Sequence, residues 1–255
     1  MAERRPLPRP ARRGPGSPAA RDVAGAPGDN GRVEQPHEQD DRPVWYVAYG
    51  SNTHSERLAR YIAGGRLPGA ARDHPGCRDT TPPARSVPLE PPGAVYFATH
   101  SPVWGGGRAF YDPGATGRAL ARAHLITLGQ FADIAAQEMY GRPGAPVDLT
   151  PVVRTGRQRL GPGRYQTLLR VGILDGLPLL TFTAPWSMAG VAWTVPTARY
   201  LDHLAAGLRE AGPWDAAEVA GYLAGCPGAA GHWRAEGGRL VPVTPAAPPP
   251  TAPEP

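Results

Sequence analysis

The sequence contains no lysine, so its formal charge of +5 rests on arginine alone. Those arginines are scattered, with one cluster near the start (Arg4, Arg5, Arg9, Arg12, Arg13). A nucleic-acid binder gathers its basic residues on one face or between aromatics, so no nucleic-acid partner is expected. With 33 Gly, 33 Pro and abundant Ala, the absence of lysine fits the codon bias of a GC-rich, actinobacterial-type genome. Only two cysteines occur, Cys77 and Cys226, which excludes a disulfide framework and suits a reducing, cytoplasmic setting. No apolar run approaches the roughly 20 residues that cross a bilayer, and no apolar stretch follows the early arginines as in a secretory signal. Metal-ligand spacings such as H-E-x-x-H or C-x-x-C are missing, so neither a metal nor a cofactor is expected. The P-loop pattern and the G-x-S-x-G nucleophile elbow are missing too.

What remains is a globular core between two low-complexity ends. Residues 1–42 run through Arg, Pro, Gly and acids with few apolar side chains, too little to offset the entropy of ordering. Residues 242–255 read as a Pro-rich extended tail. About 200 residues, 43–241, are left for one domain, enough to bury an interior.

Within it, Val44–Tyr49 reads as a strand ending at Gly50-Ser51-Asn52, and Thr53-x-x-Glu56 has capping-box spacing, predicting a helix from Thr53 to the Gly64-Gly65 stop. Residues 66–92 read as an irregular surface insertion. Short strands are expected over 94–98, 108–111 and 117–126, and a second capping box, Thr127-x-x-Gln130, opens a helix through Met139. Residues 164–171 and 177–184 suit a hairpin with Asp175-Gly176 at its turn; 197–211 is an amphipathic helix, and a third capping box, Asp215 with Glu218, opens a last helix near Asp215. This irregular alternation indicates an α+β fold with a small curved or closed sheet, unlike a doubly wound parallel one.

Two places carry chemistry. At Gly50-Ser51-Asn52, small residues precede a helix N-terminus, where unpaired N–H groups and the helix dipole favour an anion; an ordinary strand-to-helix turn has the same spacing. On the helix after Thr127, Phe131, Ile134, Ala135 and Glu138 share one face, which puts a carboxylate toward the core. Burial raises such a carboxyl toward neutrality, as a proton shuttle needs; the alternative is a helix-end glutamate in solvent or paired with arginine. Asp133 falls on the opposite face, expected to be wet. His100 either serves structure or faces a cavity, and Gly105–Gly107 suit close strand packing.

Taken in order, four blocks resemble the γ-glutamylcyclotransferase-like family, including its bacterial members. Tyr46–Asn52 is similar to the family's Tyr-Gly-Ser-Asn loop, and Trp104–Tyr111 to its Gly-rich strand entry. Ile134–Glu138 falls where the family has Leu-Asp-x-x-Glu, and Pro196–Gly207 resembles the C-terminal helix of bacterial members. The resemblance implies a small mixed β-barrel with peripheral helices and a cavity at its mouth. It also implies a cofactor-free transferase or lyase chemistry. The α-amine of a γ-glutamyl amide attacks its own γ-carbonyl and releases 5-oxoproline and an amine. Carried over, Gly50, Ser51 and Asn52 cradle the substrate's glutamyl end and Glu138 is the acid/base, while Tyr49, Tyr140 and Tyr165 could line the cavity or donate a hydrogen bond, and each equally suits core packing. Ala135 departs from the family's aspartate, and the insertion and C-terminal half leave the amine portion unassigned. Two other readings share the site: action on another acyl amide in a biosynthetic pathway, and a non-catalytic small-molecule-binding module. Protein partners and oligomeric state are not legible.

Overall fold

The structure, a computed structural model, describes residues 40–66 and 73–244. In chain order its elements are β1 (Pro43–Ala48), a 3-10 turn over Ser51–Thr53, α1 (Ser55–Ala63), β2 (Arg85–Leu89), β3 (Ala94–His100), β4 (Gly107–Asp112), β5 (Ala121–Thr127), α2 (Leu128–Glu138), α3 (Thr150–Thr155), β6 (Arg157–Arg159), β7 (Thr167–Leu174), β8 (Leu177–Thr183), a second 3-10 turn over Met188–Gly190, α4 (Ala198–Ala211), α5 (Ala216–Gly225), β9 (Trp233–Glu236) and β10 (Arg239–Pro242).

β1 lies inside the main sheet, and every residue in it after Pro43 is buried. Its period-two alternation divides the core. Trp45 and Val47, with Tyr49 just beyond, join an apolar cluster with α4 and α5 (Leu201, Leu204, Val219, Leu223); Val44, Tyr46 and Ala48 join another with α1 and α2 (Leu58, Ile62, Phe131, Ile134). The helices therefore cover both faces of a six-stranded sheet ordered β2-β5-β1-β8-β7-β6. β1 runs antiparallel to β5 and parallel to β8, so the sheet is mixed.

The expected barrel does not close, because β2 and β6 end the sheet as edges. The β3–β4 hairpin forms a separate two-stranded sheet. Its hydrogen bonds to β8 run through one side chain: the Thr183 hydroxyl accepts from the Tyr111 N–H at 3.1 Å and donates to the Tyr111 carbonyl at 2.7 Å. A barrel would need a backbone ladder at that junction. The 66–92 segment, expected to be irregular, also contains the edge strand β2, whose Val87 and Leu89 pack on the core. Pro88 between them, and the prolines on either side, mask its alternation in the sequence.

The helix predicted from Thr53 starts later, at Ser55. The Thr53 hydroxyl donates to the Gly50 carbonyl (2.9 Å), so it is spent inside the turn, and the Ser55 N–H is capped by the Glu210 carboxylate of α4 at 3.1 Å. The box at Thr127 forms on both arms: Gln130 N–H donates to Thr127 Oγ1 (3.1 Å) and Thr127 N–H to Gln130 Oε1 (3.0 Å). Asp215 caps α5 by accepting from the Glu218 N–H. Asp175 and Gly176 are both left-handed, as the two-residue turn between β7 and β8 requires. The sequence reading does not find α3, β6, β9 and β10, which are short and mostly exposed and so carry little periodicity. The tails assigned to 1–42 and 242–255 lie outside the described residues except at their inner ends. There the Asp40 and Arg42 carbonyls accept from Gly129 and Leu128, and Pro242 closes β10.

Asp133 corrects a further expectation, since it is 1% exposed. α2 is buried nearly all round, so its polar face does not meet water. The Asp133 carboxylate accepts from the backbone N–H of Arg78 (2.9 Å) and Gly144 (2.8 Å) and pairs with Arg78 Nε at 3.1 Å. It pins the chain after α1 and the loop after α2 to one point. Asp133→Ala strands these donors in the interior, at a cost of roughly 3 kcal/mol. Urea unfolding should show that loss as a lower midpoint with an unchanged slope.

Candidate functional site

Next to the end of β1 is a cavity of about 260 Å³. Tyr49, Gly50, Ser51 and Asn52 line it from the β1–α1 junction, and Glu138, Tyr140 and Tyr165 line it from elsewhere in the chain. The structure thus places Tyr49–Asn52, Glu138, Tyr140 and Tyr165 around one hollow, although Asn52 and Glu138 are 86 positions apart.

The junction is built tightly. Thr53 N–H closes a turn on the Gly50 carbonyl at 3.0 Å, and the His203 ring, from α4, holds the Ser51 carbonyl at 2.9 Å. The backbone N–H groups of Gly50, Ser51 and Asn52 have no hydrogen-bond acceptor among the described residues. The Glu210 carboxylate takes the first N–H of α1, and the turn residues that carry the unengaged amides line the cavity. Gly207 sets how closely α4 approaches: a Cβ there would lie 2.5 Å from Thr53 Oγ1 and 2.6 Å from His54 N.

Glu138, the last residue of α2, is half-buried against the same hollow. Asn52 Nδ2 donates to its Oε1 at 3.3 Å and also lies 3.1 Å from the Tyr46 hydroxyl oxygen. Burial raises the Glu138 carboxyl above the ordinary value; the Tyr61 hydroxyl, the Arg57 charge, the Asn52 amide and the Arg108 charge oppose that rise. No cation lies within ion-pair distance of Glu138 among the described residues, so the group is held without being locked in a salt bridge.

The tyrosines divide by role. The Tyr49 hydroxyl donates to the Phe182 carbonyl (2.8 Å) and the Tyr165 hydroxyl to the Ala109 carbonyl (3.1 Å), so both wall the cavity with hydroxyls already engaged. Burial pushes both phenols well above the usual range. Tyr140 is 59% exposed at the rim, with a left-handed backbone and the Arg164 guanidinium 4.6 Å from its ring centre. His100 is exposed and outside the lining. Gly107, which opens β4, serves packing, since a Cβ there would run into the Thr194 carbonyl.

Sequence reasoning missed Arg57 and Arg108, both under one-tenth exposed and both lining the cavity. The one signal for Arg57 was its place four residues before Tyr61, on the same helix face. Among the described residues no group of three or more His, Cys, Asp or Glu side chains could hold a metal ion, and no helix is long and apolar enough to cross a membrane.

No protein-family model matches the chain, and no curated protein sequence does. Solved structures do match. One is titled gamma-glutamyl cyclotransferase, with 15% identity and a TM-score of 0.36, over 67% of this chain and 81% of that one. Another is an uncharacterized protein from Homo sapiens, with 18% identity, the same TM-score and the same coverage.

Two outcomes test this geometry. Gly207→Ala should push the turn out of place and lower ligand binding in the cavity about tenfold or more, because backbone and a buried hydroxyl stand in the way; equilibrium titration checks it. Glu138 also leaves a mark on stability. Its folded-state pKa is raised, so its contribution is fully present below the unfolded value and is lost as pH rises through the folded value. Glu138→Gln should therefore stabilise the protein at pH 8 relative to wild type, with the gain fading toward pH 4 in thermal melts.

Proposed function

We propose that the chain is a γ-glutamylcyclotransferase-type enzyme, which releases 5-oxoproline and a free amine from a γ-glutamyl amide. The observation that carries the reading is the meeting of Glu138 with three unengaged backbone donors at one small cavity. The sequence resemblance names a reaction that needs such a pair and no cofactor.

The chemistry is intramolecular, so positioning supplies much of the acceleration. The Gly50, Ser51 and Asn52 amides hold the substrate's α-carboxylate. Glu138, as carboxylate, takes a proton from the α-amine as that nitrogen bonds to the γ-carbonyl carbon, closing the five-membered ring. The protonated Glu138 then returns the proton to the leaving nitrogen as the original amide bond breaks. A carboxyl raised by burial takes and gives that proton more evenly than an exposed one. Asn52 fixes one carboxylate oxygen and leaves the other for the transfer. Gly50 also fits the role: its φ of −113° needs no glycine, and a Cβ there would meet protein atoms only at 3.7 Å and beyond. The open side is the ligand's, and glycine keeps it open.

The wild-type protein should form 5-oxoproline from members of a panel of γ-glutamyl amines and dipeptides, and Glu138→Gln should lower the rate by at least about a hundredfold, the usual worth of a proton shuttle. The acidic limb of the wild-type kcat/KM profile should fall above the ordinary carboxylate range. A panel that yields no 5-oxoproline ends this reading.

A further inference from the structure

The net charge of +5 is carried by one stretch of the chain. Between Glu138 and Asp175 there are six arginines (Arg142, Arg154, Arg157, Arg159, Arg164, Arg170) and one acid, Asp148; the other 21 arginines are matched by 21 acids. None of the six forms an ion pair among the described residues, whereas eight described arginines elsewhere do. Folding gathers four of them at one margin of the main sheet. Arg157 and Arg159 alternate with Gln158 on β6, so they share one side of that outer strand, about 7 Å apart. Arg154 lies in the last turn of α3, just before Gly156, and the Arg170 N–H of β7 donates to the Gly156 carbonyl at 2.9 Å. Arg154, Arg157 and Arg159 are exposed, and Arg170 is half-buried. Asp148 supplies no counter-charge: its carboxylate accepts from the Thr150 N–H at 2.9 Å and pairs with no arginine among the described residues.

Guanidinium groups crowded in this way repel one another, and an anionic surface laid against them relieves the repulsion. We infer that the arginine margin around β6 docks the acidic face of another protein. Planar guanidinium forks match carboxylates in pairs of parallel hydrogen bonds. Since β6 is three residues long, the contact runs through side chains and not through an added strand. Single-stranded nucleic acid needs aromatic faces to stack its bases, and the two aromatics of this stretch, Tyr140 and Tyr165, both line the cavity. A membrane surface needs a group of apolar side chains to insert, and residues 141–174 expose one large one, Ile173. A second copy of the chain is a poor match too, because nine of its described acids already pair with its own arginines.

The test measures, by fluorescence anisotropy at low ionic strength, the binding of the full chain to a helical peptide with glutamates along one face and to its glutamine counterpart. The glutamate peptide should bind about tenfold or more tighter. Arg154→Glu with Arg157→Glu should abolish that preference, and Arg157→Glu with Arg159→Glu should do the same, so one misfolded variant leaves the other to decide. Arg209→Glu with Arg239→Glu shifts the net charge equally, but on α4 and β10, and should keep the preference. Equal binding of the two peptides overturns the docking surface. So does a preference that survives both margin variants or is lost equally in the α4 and β10 variant, because the attraction then belongs to the charge of the whole molecule. An oligothymidylate or a phosphatidylglycerol vesicle that binds tighter than the glutamate peptide, and loses its hold in the margin variants, overturns the acidic protein in favour of that partner. Turnover plays no part in these readings, so their failure and that of the proposed reaction are separate.

Discussion

The site depends on where α2 stops. Its final residue carries an acid to the edge of a hollow that water-poor walls surround, and Asn52 from another part of the chain reaches it. A carboxylate so placed is uncomfortable when charged, so burial raises its pKa, while the Tyr61 hydroxyl and the Arg57 charge oppose that rise. Desolvation and unpaired positive charge pull in opposite directions on one group, and that balance suits a residue that must both accept and donate a proton. The fold serves this balance: the turn after β1 and the end of α2 lie on elements packed against the same face of the sheet, so their separation is set by the core.

Local signals in the sequence were reliable where the physics is local. The Thr127 box, the Asp215 cap and the Asp175-Gly176 turn each depend on residues within a few positions, and each forms. Thr53 shows the limit. Its spacing fits a box, yet its hydroxyl turns back to Gly50 and a glutamate from α4 caps the helix instead. No window around Thr53 contains Glu210. Asp133 fails for a related reason: a one-sided pattern assumes one buried face, but the Arg78 and Gly144 segments cover the other.

The candidate site follows the same division. Glu138 and the Gly50–Asn52 turn were legible because helix periodicity and a strand-to-helix junction both leave short-range marks. The arginines were not, because whether a guanidinium has a partner is a fact about the folded molecule. Arg57 looks like any surface arginine until Tyr61 and Trp104 are seen against it. The open sheet was likewise hidden, since whether strands close depends on how β4 meets β8, and there Thr183 substitutes one hydroxyl for a ladder.

An open sheet must protect its margins, and here the two margins differ. β6 is only three residues long, and β2 carries Pro88, which has no N–H to present. Each outer strand is thereby a poor template for a neighbouring molecule's backbone.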